Sequence, residues 1–257
     1  MITQICKQFM IELKTKGEID LMRQAGRVVA GLLEHLSGTI RPGIKTKELD
    51  DEAIAYLRRA GAQPAFLGYR GFPASICVSV NEEVVHGIPG ERRIREGDLV
   101  SIDAGAVVQG FYADAATTLP VGVIAPVARR LSDATRQALD EGIRQAVVGH
   151  RVSDISHAVQ RVIEAGGFGI VRDFVGHGIG HALHEDPPIP NFGPPNVGPR
   201  LKAGMVIAIE PMVTAGGYEV QVLEDGWTAV TKDRSLAAHF EHTVAITERG
   251  PEILTAA

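Results

Sequence analysis

Apolar positions first recur at helical spacing after Thr15-Lys16-Gly17-Glu18, which has the form of a capping box. Leu21/Met22, Ala25, Val28/Val29, Leu32/Leu33 and Leu36 follow on one face until Gly38 and Pro42 end the run. Thr46 opens a second helical pattern through Leu49, Ala53, Tyr56/Leu57 and Ala60, closed by Gly61. From residue 75 to 119 the texture changes to short β-rich runs at 76–80, 99–102 and 107–112, divided by Gly, Asn and Pro. The order then returns. Pro126, at a first helical position, leads Val127, Leu131, Ala134, Ala138/Leu139, Ile143 and Val147. Ser153 is the expected cap of a helix carrying Ile155, Val159 and Val162/Ile163, and strands are expected at 205–209, 218–223, 227–230 and 243–247.

The repetition extends to single residues. Gly97-Asp98-Leu99-Val100-Ser101-Ile102-Asp103 and Gly204-Met205-Val206-Ile207-Ala208-Ile209-Glu210 share a glycine, an apolar strand with Ile in the penultimate place, and a carboxylate six residues after the glycine. Two such matches within one helix-helix-strand order predict two halves related by a pseudo-twofold, with the carboxylates meeting at the junction. No flexible linker divides the halves near residues 120–126, so a single α+β domain over 10–257 is expected, preceded by a loose tail or upstream start at 1–9.

Composition narrows the chemistry. With 257 residues, 45% apolar and 22% charged, the chain folds around a real core and is neither disordered nor a coiled coil. No apolar run reaches membrane-spanning length and no signal-peptide core is present, so a cytoplasmic location without membrane attachment is expected. Only Cys6 and Cys77 occur, which rules out a disulfide framework and a four-cysteine zinc site and leaves any metal to His, Asp or Glu. A net charge of −5 gives no overall attraction for DNA or RNA. Arg92, Arg93 and Arg95 form a local basic run, most simply a solvated turn.

Asp103 and Asp114 are the most informative acids. A hairpin turning near Val108-Gln109-Gly110 sets them opposite or nearly opposite on one face, where like charges about 4 Å apart repel by roughly 4 kcal/mol at an effective dielectric of about 20. A shared proton, an Arg or Lys partner, or a divalent cation would each relieve this, and two solvated strand-end aspartates would not need it. Glu210 and Glu241 add two more acids at strand edges. Gly176-His177-Gly178-Ile179-Gly180-His181-Ala182-Leu183-His184 is too rich in glycine for a helix, and its backbone is expected to approach a ligand closely. Neither a phosphate-binding loop nor a dinucleotide fingerprint is present. Several Asp/Glu with one His suit paired divalent ions and, through an acidified water, hydrolysis.

Phe174-Val175-Gly176-His177-Gly178-Ile179-Gly180 followed by His184-Glu185-Asp186-Pro187 resembles the signature of type I methionine aminopeptidases. Residues 81–89 (NEEVVHGIP), Ser101-Ile102-Asp103-Ala104-Gly105, Ala113-Asp114-Ala115-Ala116, Ile209-Glu210-Pro211-Met212 and Phe240-Glu241-His242-Thr243 match the family's other motifs in order. The resemblance covers nearly the whole chain from about Met10. It implies the pita-bread fold, α+β, with two pseudo-symmetric halves around a curved antiparallel sheet, in a short bacterial form that lacks the type II insertion.

The resemblance also implies a site. Asp103, Asp114, His177, Glu210 and Glu241 would hold two divalent ions, with Asp114 and Glu241 bridging; Co, Mn, Fe and Zn all suit these ligands. His86 and His184 would face the substrate and Glu210 would shuttle the proton. Tyr69, Phe72, Cys77, Leu183 and Trp227 would line a methionine pocket, although composition alone would assign them to the core. The implied substrate is the N-terminal methionine of a nascent polypeptide whose second residue is small. The implied protein is a monomer that contacts the ribosome transiently. Arg70 stands where many bacterial members have histidine, Phe66 and Val85 where some have cysteine, and Leu183 where an aromatic is common. The alternatives are an Xaa-Pro dipeptidase of the same fold, which generally carries an additional N-terminal domain, and a non-catalytic binding protein, which would have lost the five ligands.

Overall fold

The computed structural model describes residues 10–256, so the expectation for residues 1–9 lies outside the described residues. In the first half, helices α1 (Lys16–Thr39) and α2 (Thr46–Arg59) precede strands β1 (Gln63–Pro64), β2 (Ile76–Val80), β3 (Glu83–Val85), β4 (Leu99–Val108) and β5 (Phe111–Pro120). In the second, α3 (Pro126–Arg144) and α4 (Val152–Ala165) precede β6 (Gly169–Ile170), β7 (Gly176–Gly178), β8 (Glu185–Ile189), β9 (Val206–Ile209) and β10 (Met212–Thr214). The chain then forms β11 (Val220–Val222), β12 (Ala229–Thr231), β13 (Ala237–His239), β14 (Glu241–Thr247) and β15 (Gly250–Ile253).

The expected capping box opens α1: the Glu18 amide donates to Thr15 Oγ1 at 3.3 Å and the Thr15 amide to Glu18 Oε2 at 2.6 Å. Met22, Ala25, Val29, Leu32 and Leu36 are fully buried on the face that meets β4 and β5, each large side chain contributing about 1.5–3 kcal/mol. Pro126 is at the start of α3, as expected, and α3 packs on β9 and β14 in the equivalent place. The expectation for Ser153 is corrected. Helix α4 starts at Val152, with the Arg151 amide donating to Asp154 Oδ2 at 2.7 Å, while Ser153 Oγ accepts from the Val197 amide at 2.6 Å. The acid three residues after Arg151 thus takes the capping role and frees the serine to tie down a loop.

One nine-stranded antiparallel sheet crosses both halves in the order β1-β4-β5-β14-β9-β7-β8, with β2 also on β4 and β15 on β14. Its central pair, β5 and β14, joins the halves through Glu241 opposite Ala116 and His242 opposite Ala115. The pseudo-twofold reaches the loops before α2 and α4. Lys45 bridges Arg93 as Arg151 bridges Arg200. Arg93 Nη1 donates to the Gly43 carbonyl at 2.7 Å as Arg200 Nη1 donates to the Gly149 carbonyl at 2.9 Å. Gly43 and Gly149 have φ of 92° and 93°, and Gly97 and Gly204, which open the repeated template, have 89° and 92°. Two of the three clustered arginines are therefore engaged by the fold itself, since Arg92 Nη1 also pairs with Glu83 Oε1 at 2.5 Å.

Candidate metal centre and its pocket

The β4–β5 hairpin turns on Gln109 and Gly110, both in the left-handed region, giving the two-residue connection favoured by strand twist. The register differs by two residues from that expected: Asp103 faces Ala116, and Asp114 faces Gly105. Because the difference is even, both aspartates still share one face, diagonally. Across the junction Ala116 in turn faces Glu241, and His242 faces Ile209, so Glu241 and Glu210 each stand one position beyond that last pair. Acids from both halves therefore converge over the small Ala116 side chain.

His177 comes to the same place from β7. The glycines beside it serve the sheet, correcting the expectation that they admit a ligand. A Cβ on Gly176 would lie 2.4 Å from the Ala208 carbonyl oxygen, and one on Gly178 would lie 2.2 Å from that of Asp186. His177 Nδ1 is 2.9 Å from the Gly178 carbonyl oxygen, which orients Nε2 inward, 3.5 Å from Asp114 Oδ2 and 3.6 Å from Glu210 Oε1. One ligand atom each from Asp114, His177 and Glu241 lie within 4.8 Å of one another, all three residues being buried. Thr243 Oγ1 donates to Asp114 Oδ1 at 3.0 Å.

The electrostatics of this cluster are adverse without a cation. Burial pushes the Asp103 and Glu210 carboxyls up to about 8, with neighbouring acids adding to the rise and His239 and His177 respectively opposing it. Burial likewise raises Glu241 well above, and Asp114 above, the ordinary carboxylate range. No Lys or Arg among the described residues forms an ion pair with any of the four. Asp103 Oδ1 is buried and has no hydrogen-bond partner. An oxygen-rich, solvent-poor donor set with an orphaned carboxylate oxygen fits divalent metal ions.

The acids line an open cavity of about 150 Å³. Its lining brings together all twelve expected residues: the five ligand candidates, His86 and His184, and Tyr69, Phe72, Cys77, Leu183 and Trp227. The last five belong to one apolar cluster that also contains Phe66, and the Phe72 and Trp227 rings meet edge to face at 5.1 Å. Cys77 faces Asp103 across β2 and β4, and burial drives its thiol well above the usual range, keeping it neutral. His184 Nδ1 is 2.9 Å from the Tyr69 hydroxyl, and its ring lies 4.1 Å from that of His177. His86 stands edge-on to Phe174 and Trp227. Burial lowers His86 to about 4 and, with His177 and Arg70 contributing, His184 to about 3, so both imidazoles are neutral at pH 7. His181, expected outside the ligand set, is exposed and 3.4 Å from Glu18.

His239 was not expected. It is 2% exposed, its Nε2 has no hydrogen-bond partner, and that atom is 3.6 Å from Glu210 Oε2. The period of two along extended chain puts His239, Glu241 and Thr243 on one face, a signal that was present in the sequence. Phe66 and Arg70 also line the cavity.

Comparison with known proteins agrees with this geometry. The sequence matches metallopeptidase family M24 over residues 20–248. It is 54% identical over 246 residues to methionine aminopeptidase 1 of Bacillus subtilis, covering 96% of this chain and 99% of that protein. The fold superposes on methionine aminopeptidase from Thermotoga maritima with a TM-score of 0.95 at 48% identity, covering 96% of this chain and all of that one (100%). Prolidase from Pyrococcus furiosus is more distant, with a TM-score of 0.78 at 25% identity, and is covered over only 65% of its length, against 95% of this chain.

Proposed function

Because the chain belongs to metallopeptidase family M24 and, within it, to the methionine aminopeptidases, we propose that the converging acids hold two divalent ions for removal of initiator methionine. The chain is a metallo-exopeptidase of pita-bread fold acting on N-terminal methionine. The observation that carries the reading is a single cavity whose lining combines four carboxylates that pair with no Lys or Arg with an aromatic, apolar wall.

Asp103, Asp114, His177, Glu210 and Glu241 would hold the ions; Mn, Fe, Co and Zn all match the donor set. Divalent ions held there would supply an acidified water and polarise the scissile carbonyl. The methionine side chain packs against Phe72, Cys77, Leu183 and Trp227, which excludes water from the reacting bond. His184 Nδ1 lies 2.9 Å from the Tyr69 hydroxyl; with the hydroxyl as donor, the ring proton is on Nε2, placed to donate to the carbonyl oxygen as charge develops there. His86, held between Phe174 and Trp227, contacts the amide nitrogen. Glu210 carries the proton from the attacking water to the leaving amine.

The cavity of about 150 Å³ takes the first side chain, and a preference for a small second residue belongs to the same reading. Residues 10–257 work as one catalytic unit, monomeric and cytoplasmic, on nascent chains at the ribosome. Among the described residues no helix is long and apolar enough to cross a membrane. Incubation of the protein with Mn or Co and the peptides Met-Ala-x and Met-Leu-x tests the reading: methionine release from the first alone is expected. Cleavage of x-Pro dipeptides instead would favour the prolidase alternative.

A further inference from the structure

Of all the residues lining the cavity, only Arg70 and His184 are exposed, so these two mark its mouth. The acids and the apolar wall lie behind them. Arg70 is the one lining residue with a permanent positive charge. Unlike Arg92, which pairs with Glu83, it makes no ion pair with a carboxylate among the described residues. Its guanidinium lies 5.3 Å over the Tyr69 ring, whose hydroxyl meets His184.

The backbone also holds this cation in place. Arg70 has φ 50° and ψ 23°, a left-handed conformation disfavoured for a long L side chain. A closed turn enforces it. The Tyr69 amide donates to the Phe66 carbonyl at 2.9 Å, the Gly71 amide to that of Gly68 at 3.1 Å, and the Phe72 and Gly68 amides to those of Tyr69 and Phe72, each at 2.9 Å. Strain of this kind collects where a side chain must be presented at a site.

We propose that Arg70 is a specificity-determining residue that selects an acidic side chain at the third position of the substrate. The inference rests on the aminopeptidase reading, because it applies to a chain whose first side chain fills the apolar wall and whose second is small. Such a chain leaves past Arg70 and His184, and the third side chain is the first outside the cavity. A carboxylate there meets a planar donor able to bind it through two N–H groups, whereas an ammonium is repelled.

The test uses the manganese-loaded full chain and C-terminally amidated peptides Met-Ala-Asp-Ser, Met-Ala-Gln-Ser and Met-Ala-Lys-Ser, so that the third side chain is the variable charge. At low ionic strength kcat/KM for the Asp peptide should exceed that for the Lys peptide by about three- to tenfold, as expected for a solvent-exposed pair, mainly through KM. Near 1 M salt the ratio should approach one. Arg70→Gln should remove the ratio, and Arg70→Lys should keep only the part due to charge, a smaller ratio still above one. A ratio of one or less in the unaltered protein, or an unchanged ratio in Arg70→Gln, would overturn the proposal. Failure to release methionine from the neutral Gln peptide would instead sink the underlying aminopeptidase reading, and the proposal with it.

Discussion

On the acidic part of the cavity lining Asp103, Asp114, Glu210 and Glu241 stand where burial and mutual repulsion both oppose them. On the apolar part, Phe72, Cys77, Leu183 and Trp227 lie where burial alone would put them. The first arrangement is tolerable only when its charge is neutralised, by protons in the metal-free fold or by cations in the working one, whereas the second is an ordinary piece of core that happens to open on a cavity. Stability and function should therefore separate on the acidic part and move together on the apolar part. Four measurements probe this contrast.

The largest effect is expected from Glu241→Ala. Methionine release should fall by at least about 10³-fold, since several kcal/mol of transition-state stabilisation go with the metal site. The melting temperature in the presence of chelator should stay level or rise, because a carboxyl whose charged form is disfavoured by burial and by its acidic neighbours is gone. A large loss of metal-free stability would break the contrast.

His184→Ala should lower kcat by about 10²-fold, the magnitude for removal of one donor to a developing oxyanion. Metal stoichiometry, measured by atomic absorption, should be unaltered. On the apolar part, Trp227→Ala should cost about tenfold in kcat/KM through KM. It should also lower the melting temperature by about 4 °C or more, because the Phe72 ring no longer has an aromatic face to pack against.

The smallest effect concerns pH. Asp103 and Glu210 have folded-state values raised to about 8 from ordinary unfolded ones, so they hold protons in the metal-free fold. Their contribution to stability is complete below the unfolded values and is lost as pH rises through about 8. Chelated protein should thus melt a few degrees lower at pH 8.5 than at pH 6. Added Mn should reverse the trend, because metal binding displaces those protons. Differential scanning fluorimetry at both pH values, with and without Mn, checks the sign.

Much of the frame was legible before any coordinates. The paired templates beginning at Gly97 and Gly204 fall on equivalent strands, and both glycines need the positive φ that makes them glycines. The acids were conspicuous because charge at the end of an apolar strand is locally unfavourable. The strands missed were β1, β3, β6, β7, β8, β10, β13 and β15, each two to five residues long and too short to carry a local period, with β6, β10 and β13 forming a separate three-stranded sheet; the run expected at 107–112 instead spans the turn between β4 and β5. The hairpin register was off by two because turn position alone leaves it open until the two-residue connection at Gln109 and Gly110 is known. Ser153 misled because two capping schemes competed, and Asp154 prevailed. His239 escaped because a buried histidine next to a motif is inconspicuous until its unpartnered Nε2 is seen beside Glu210.

The central claim is that acids from the two halves are compatible because metal ions lie among them. Anomalous diffraction from crystals equilibrated with saturating Mn tests it most directly. Two peaks within coordinating distance of Asp103, Asp114, His177, Glu210 and Glu241 are predicted. A fully active protein with no anomalous density among those five side chains would contradict the account.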